Sequence, residues 1–280
     1  MTNTLAKQVK QEIITALEND ELVLPTLPEV ALQIREVAED VTSSIGDLTA
    51  IISRDAALSA RMVKVANSPL IRATVPVSDL NTAVSRLGID LTSNLAMGLA
   101  MEQMFQATND IIDKKMRACW SKSIEIAASS QVLAKHFTDL QSDMALLAGL
   151  THQIGMLPIL AFAEQNDSLI QDGMALGKVI HVLHPSLGSY ILKKWDFPEE
   201  LVQVPKNYLK FERSPSSVDY ADVVQVATLQ SVAGTTHRYN ELDWSQISAF
   251  DRLGLDPESL VTNMEEIHAE VAETQGALGG

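Results

Sequence analysis

The chain has 280 residues, of which 46% are hydrophobic, enough apolar material for one large domain or two small ones. Its formal net charge is −15, from 36 acidic and 21 basic residues, and it has no run rich in lysine and arginine, so the charge disfavours nucleic acid as a partner. Cys119 is the single cysteine, which excludes an intrachain disulfide and predicts a cytoplasmic protein.

The sequence also disfavours a membrane partner. The first twenty residues are polar and amphipathic and lack the continuous apolar core of a signal peptide. No apolar run reaches the length of a membrane-spanning helix, because the run at residues 157–163 ends at Glu164. We therefore expect a soluble protein.

Helical spacing of apolar residues begins at the N-terminus and runs through the first half of the chain. The first predicted helix has an apolar face made of Leu5, Val9, Ile13, Ile14 and Leu17. Pro28 is expected as the first residue of the second helix, and Ser44 and Asp55 as N-caps of the next two. The fourth helix is expected to end near Asn67. Further helices are predicted at residues 78–87, with Gly88 as the stop, and at 91–105.

In the second half, residues 110–137 predict one long helix or two with a kink, and residues 143–165 predict another, capped by Ser142. Shorter helices are predicted at residues 178–183, 186–195, 198–208, 218–233 and 259–274. Pro185 is expected to separate the first two of these. Residues 211–217 predict a surface loop, and the tail from residue 275 is expected to be disordered. No segment shows the period-two alternation of a strand, so the predicted fold class is all-α.

Two blocks of sequence carry a family resemblance. The first comprises LPTLPEV at residues 24–30, IISRDAALSARM at 51–62, KVANS at 64–68 and AVSRLG at 83–88. The second comprises AGLTHQIGM at 148–156, HPSLGSYIL at 184–192 and WDFP at 195–198. Over residues 18–215 the chain resembles the HDOD family, the signalling relatives of the HD and HD-GYP phosphohydrolases.

The resemblance implies an HD-domain-like, two-lobed bundle of many helices. An N-terminal helical lobe at about residues 1–106 would pack against an HD-like lobe at about 107–215, and together they form an HDOD module at 18–215. Residues 216–280 are expected to be a C-terminal helical extension packed on that module.

The resemblance also locates the positions where HD enzymes hold their metal. Those enzymes use a histidine on one helix, a His-Asp doublet and a distal aspartate. The corresponding positions in this chain are Ser123, His152, Gln153 and Thr228, with Asp219 and Asp222 as alternatives to Thr228, while His184 matches a histidine of the HD-GYP pattern. The paired histidines of that pattern fall near Asn207 and Tyr208 in this chain.

Gln153 decides the expected function. A neutral amide is a poor ligand for a hard cation and cannot offset its charge, so the metal site is expected to be degenerate and the protein to need no metal or other cofactor. The leading hypothesis is a non-catalytic bacterial regulatory module that binds signalling proteins. The sequence does not select the partner or the oligomeric state.

Two alternatives stay open at this point. One is a metal-dependent phosphohydrolase, acting on cyclic dinucleotides or nucleotides, that uses His152, His184 and Asp219 or Asp222. The other is a nucleotide sensor that binds without cleaving. Its candidate ligand pocket is lined by His152, Gln153, His184 and Asn207. A sensor would be favoured by cations near His152, for which Lys122, Lys178 and Lys206 are the candidates.

Overall fold

The computed structural model describes residues 2–19, 21–68, 71, 75–258 and 265–279, and within these ranges it contains helices and no strand. The all-α prediction is confirmed. The helices are α1 (Thr2–Glu18), α2 (Glu29–Glu39), α3 (Ile45–Ile52), α4 (Ala56–Ala66), α5 (Leu80–Leu87), α6 (Ile89–Ala100), α7 (Asp110–Phe137), α8 (Ser142–Thr151), α9 (Met156–Glu164), α10 (Asp167–Gln171), α11 (Gly173–Lys194), α12 (Glu199–Val202), α13 (Val204–Asn207), α14 (Tyr220–Gln230), α15 (Ser248–Leu253) and α16 (Glu265–Leu278). Short 3-10 turns cover Met101–Met104, Arg238–Glu241 and Trp244–Gln246.

Local sequence signals set most helix ends in the first lobe, α2 to α6. Ser44 and Asp47 form a reciprocal capping box at the start of α3, and the Asp55 side chain accepts from the backbone of α4. Gly88 ends α5 with a φ of 80°, a conformation that glycine adopts without strain. Pro28 is the N-cap of α2 rather than its first residue, since its carbonyl already accepts from Ala31 and Leu32.

The second lobe is built around α7, a single helix of 28 residues, which is the first of the two possibilities that the sequence left open. Helices α8, α14 and α16 pack against it. The contact with α8 is close because Gly149 lies directly on the backbone of Ala127, where a Cβ would overlap. This close packing fixes the end of α8, and with it the start of the candidate site.

Among the helix boundaries that differ from the prediction, two lie beside the candidate site. Residues 143–165 do not form one helix, because the chain turns at residues 152–155 between α8 and α9. Conversely, Pro185 does not end a helix: α11 continues through it. Proline removes one backbone hydrogen bond, and the buried side chains of Leu183 and Leu187 hold both halves of α11 in the core regardless.

The C-terminal region is more ordered than predicted. The tail is the last turn of α16, with Ala277 and Leu278 buried, so the predicted disorder is wrong over residues 275–279. The predicted helix start at residue 259 lies outside the described residues. Residues 211–217 form a loop as predicted, but Arg213 anchors it through ion pairs.

The segment Ser142–Glu164 is long and apolar enough to cross a membrane by length and composition. However, 78% of its most apolar window is buried inside the protein, the pattern of a core helix. The prediction of a soluble protein agrees with this burial.

The two lobes are in contact at residues 195–198, which follow α11 and are called the 195–198 turn. The indole Nε1 of Trp195 donates to the carbonyl of Pro25, 3.1 Å away, and Arg35 donates to the carbonyl of Trp195. Helix α1 also crosses the junction, since it packs on α11. The two blocks of sequence that carry the family resemblance are therefore in direct contact.

Candidate functional site

His152 lies in the turn between α8 and α9 and is 1% exposed. Its Nδ1 lies 2.6 Å from the carbonyl oxygen of Gly149. A carbonyl can only accept, so Nδ1 carries the proton and Nε2 carries the lone pair. Nε2 has no hydrogen-bond partner among the described residues. His152 thus offers one buried acceptor.

His184 projects from α11 and is 4% exposed. Its Nδ1 lies 2.7 Å from the carbonyl oxygen of Ile180, so by the same argument its Nε2 is the acceptor. The hydroxyl of Tyr208 donates to that Nε2 at 2.8 Å. The Tyr208 ring also meets His152 edge to face, with ring centroids 5.0 Å apart. Tyr208 therefore lies between the two histidines.

Gln153 completes this arrangement from the α8–α9 turn. Its Oε1 lies 3.4 Å from Sγ of Cys119, and its side chain hydrogen-bonds the Tyr208 hydroxyl. Because the Tyr208 hydroxyl already donates to His184, Gln153 must supply the donor, while its Oε1 accepts from the thiol. An amide can do both, whereas a carboxylate could only accept. We call these four side chains, Cys119, Gln153, Tyr208 and His184, the Tyr208 network.

Burial keeps the site uncharged at neutral pH. Desolvation lowers the pKa of His152 to about 3, with smaller contributions from His184 and Lys122, and lowers the pKa of His184 to about 4. Burial likewise raises the pKa of Cys119 to about 12 and raises the pKa of the Tyr208 phenol. None of these groups can serve as an anionic ligand or a ready nucleophile.

The other positions carried over from the family do not join the network. Ser123 is fully buried on α7, and its Oγ has no partner among the described residues. Thr228 bonds the carbonyl of Val224, one turn back in its own helix, at 2.7 Å. Asn207 bonds Gln203 and Lys210 at the surface, so the structure does not bring it to the histidines.

Asp219 and Asp222 form a separate ionic cluster at the start of α14. The Asp222 side chain is fully buried and accepts from Arg252 Nε and Nη2, both at 2.8 Å, and from Arg213 Nη1 at 3.1 Å. Asp219 pairs with Arg213 and caps α14. Both carboxylates, the sequence's alternatives to Thr228, thus have arginine partners.

Only one of the three predicted lysines faces the site. Lys122 contributes positive charge at His152, although it also pairs with Glu125 at 2.9 Å. Lys178 and Lys206 are exposed. Of the three candidate cations, the structure therefore places Lys122 near His152.

The donor set does not fit a divalent cation. Of the two imidazoles, His184 has its lone pair engaged by Tyr208, and no carboxylate stands beside either of them. Within the described residues, no three His, Cys, Asp or Glu side chains are arranged to hold a metal. A catalytic site of this type needs three firm protein ligands and an open position.

Sequence reasoning missed two residues that shape the site. Tyr208 falls where a histidine of the HD-GYP pattern would stand, but the sequence does not show that its hydroxyl reaches His184. Gln225, fully buried on α14, donates to the Tyr208 carbonyl at 3.0 Å. The polar Gln225 within an otherwise apolar helix was the available signal, because buried amides are usually hydrogen-bonded.

A model of the HDOD domain family matches residues 24–208, two thirds of the chain and both blocks of the resemblance. The chain belongs to the HDOD domain family. The match confirms the resemblance found in the sequence.

Two solved structures share the fold of this chain. A crystal structure from Shewanella amazonensis, described as a candidate metal-dependent phosphohydrolase, is 30% identical, covers 98% of this chain and 99% of its own, and has a TM-score of 0.87. A candidate signal transduction protein from Marinobacter aquaeolei is 22% identical, covers all of this chain and 67% of its own, and has a TM-score of 0.61. At that identity the likeness shows the fold alone.

An uncharacterised protein of Treponema pallidum is 24% identical over 248 residues, which is 81% of this chain. The HDOD chain spans about half of that relative, 46% of its length.

Proposed function

We propose that this HDOD protein is a non-catalytic signal-transduction module of the bacterial cytoplasm that acts through contacts with other proteins. The observation that carries the proposal is the Tyr208 network of uncharged, hydrogen-bonded side chains, which includes two positions, Gln153 and His184, that the resemblance assigns to the HD and HD-GYP pattern. Membership of a signalling family supports the regulatory role, and the single buried cysteine supports a reducing compartment.

The chemistry supports the loss of catalysis. Hydrolysis of a phosphate ester by this class of enzyme needs a metal-bound water that ionises near neutral pH. The network provides no negative charge to offset a cation, and Tyr208 uses the His184 lone pair. His152 Nε2 remains the one available imidazole acceptor, too few for a firm metal site.

The test is metal content and turnover of the full chain purified without chelator or affinity tag. Elemental analysis should find transition metal well below one per chain. Bis(p-nitrophenyl) phosphate with added Mn²⁺ should be hydrolysed no faster by the wild type than by His152→Asn. One or more metals per chain that His152→Asn loses, together with turnover that the same change abolishes, would sink the proposal.

The regulatory half of the proposal needs its own measurement. Cross-linking in cells of the source bacterium should capture a signalling protein with the wild type and with His152→Asn alike, since the contacts are expected to lie on the surface. Replacing the exposed residue at which the cross-link forms should abolish capture of that protein. Failure of the wild type to capture any protein above a tagless control would count against protein contacts as the mode of action.

A second candidate function is metal-dependent phosphohydrolysis. It is favoured by the description of the Shewanella amazonensis structure, which covers nearly all of this chain at 30% identity. It would require ligands beyond His152 to be recruited by movement of Tyr208. The metal and turnover measurements above decide between the two candidates.

A further inference from the structure

A cavity of about 360 Å³ lies where the two lobes meet. Its walls come from α2 and α6 of the first lobe and from α8, α12 and the 195–198 turn of the second. Cavities of about 300–1,000 Å³ are the size that holds small organic ligands. The cavity shares no residue with the Tyr208 network, so it is a separate site.

One side of the cavity is apolar and adaptable. It is lined by Met97, Met144, Leu147, Phe197 and Leu201. Methionine side chains are flexible and polarisable, so a pair of them can adjust to the shape of a bound apolar group. This side fits a short hydrocarbon chain or a small ring.

The same cavity holds a buried hydroxyl that the protein does not use. Ser93 is 3% exposed and lines the wall, and its Oγ has no hydrogen-bond partner among the described residues. A buried hydroxyl is normally hydrogen-bonded, so this oxygen marks the wall as a place where a ligand can gain a hydrogen bond. The adjacent Asn94 uses its Nδ2 on Asp143, which leaves its Oδ1 as a further acceptor.

Carboxylates outnumber cations around the cavity. Glu39 and Asp196 are exposed in its wall, and Asp143 stands behind Asn94. Arg35 is the one cation of the wall. Its Nη1 donates to the carbonyl of Trp195, and its Nε lies 3.7 Å from a carboxylate oxygen of Glu39, so Glu39 is paired. Asp196 is the wall carboxylate outside this pair, so the wall keeps a net negative charge and is rich in acceptor oxygens.

Asp196 is placed at the cavity by an unusual backbone conformation. Its φ is +56°, and among the described residues it is the one non-glycine with positive φ. It ends α11 in a Schellman arrangement, with Phe197 N bonding Leu192 O at 3.0 Å, a position that glycine normally takes. Glycine would adopt this backbone conformation with less strain, so the fold alone does not account for an aspartate at this position.

We propose that the interlobe cavity binds a small organic cation, a primary amine with an apolar body of a few carbon atoms. A primary ammonium has three N–H donors and no acceptor, which matches walls that offer carboxylate, amide and hydroxyl oxygens. The apolar body lies against the two methionines and their neighbours. Because both lobes form the walls, occupancy favours their present arrangement and gives the module a chemical input. This inference goes beyond the proposed function and holds for a catalytic or a non-catalytic module.

The test follows the methionines of the full chain by NMR with ¹³C-labelled methyl groups. Two of the ten methionines, Met97 and Met144, line the cavity. Titration with hexylammonium chloride should shift those two signals and leave the other eight in place, while sodium hexanoate should shift neither. Their signals are assigned with Met97→Leu and Met144→Leu.

Two variants report on the polar walls, and a third is the control. Asp196→Asn removes the charge but keeps a residue that tolerates positive φ, and it should raise the Kd for hexylammonium about fivefold. Ser93→Ala should weaken binding in the same direction. Glu212→Gln removes an exposed carboxylate outside the cavity and should leave the Kd unchanged.

Three results would overturn the inference: hexylammonium that shifts neither methionine, hexanoate that binds as tightly, or Asp196→Asn that binds like the wild type. Each is distinguishable from a failure of the proposed function. The metal and turnover assays concern the Tyr208 network, which shares no residue with this cavity.

Discussion

The hydroxyl of Tyr208 lies 2.8 Å from Nε2 of His184, where it engages the lone pair that a metal would need. This one bond links a helix of the second lobe, α11, to the end of α13. A histidine that matches an enzyme pattern is thereby hydrogen-bonded on both ring nitrogens within the protein.

Replacing Tyr208 by Phe should destabilise the protein by about 1–3 kcal/mol, because it leaves His184 Nε2 and the Gln153 amide without their shared partner in the interior. Urea unfolding at pH 7.5 measures the change. Tyr190→Phe is the matched control: that ring is partly exposed on α11, and its loss of a hydroxyl should cost less than about 0.5 kcal/mol. Equal costs for the two variants would contradict the role of the network.

Gly155→Ala should be among the most damaging small substitutions, at about 3 kcal/mol or more. A Cβ on Gly155 would overlap the carbonyl oxygen of His184 and the backbone of Gly188, neither of which can move without breaking α11. Gly177→Ala, in α11, would place its Cβ in open space, so the change should be neutral or stabilise the protein by up to about 1 kcal/mol. Thermal unfolding of the pair tests the prediction, and similar melting temperatures would refute it.

Stability should fall as the pH drops below about 6.5, the ordinary pKa of histidine. His152 and His184 have pKa values lowered to about 3 and about 4 in the folded protein, so the unfolded chain binds protons first. Each histidine then costs about 1.4 kcal/mol of stability per pH unit, until the pH reaches its folded pKa. Above pH 6.5 both states are neutral and this contribution vanishes.

The measurement for this pH dependence is the free energy of unfolding at pH 7.5 and 5.5 for wild type and His152→Asn. The variant lacks one of the two titrations and should lose about 1 kcal/mol less than wild type over that interval. Ile154→Val, also buried but without a titrating group, should lose as much as wild type. A His152→Asn variant with an unchanged pH dependence would show that His152 is not held neutral by burial.

Asp222→Asn should cost about 3–5 kcal/mol, because Arg213 and Arg252 would keep their charges in a largely buried setting without compensation. The loss should appear in denaturant unfolding. Asp251→Asn, an exposed position on α15, should change stability by less than about 0.5 kcal/mol. If Asp222 instead served a metal, its replacement would change metal content while leaving stability near that of the control.

The parts of the fold that local sequence determines were predictable. Ser44, Asp55 and Gly88 act within one turn of the backbone, and each ends or begins a helix where expected. The positions of His152, Gln153 and His184 in one site followed from the family resemblance and are found together around Tyr208.

The errors share a physical cause, which is tertiary packing. Pro185 ends a helix by local rules, but burial on both sides keeps α11 continuous. The break at residues 152–155 depends on Gly155 meeting α11, a contact between segments distant in sequence. Asp222 looked like a candidate ligand because its arginine partner Arg252 lies 30 residues away. No pattern along the chain displays such contacts.

The position of α1 affects how the protein is made. This helix is synthesised before α11, yet the surface it packs on belongs to α11, which begins at Gly173. Its apolar face, with Val9 and Ile13 buried in the folded protein, therefore stays uncovered until α11 has been synthesised. During that interval the apolar face of α1 is exposed on the nascent chain, and a chaperone that binds amphipathic helices would protect it from aggregation.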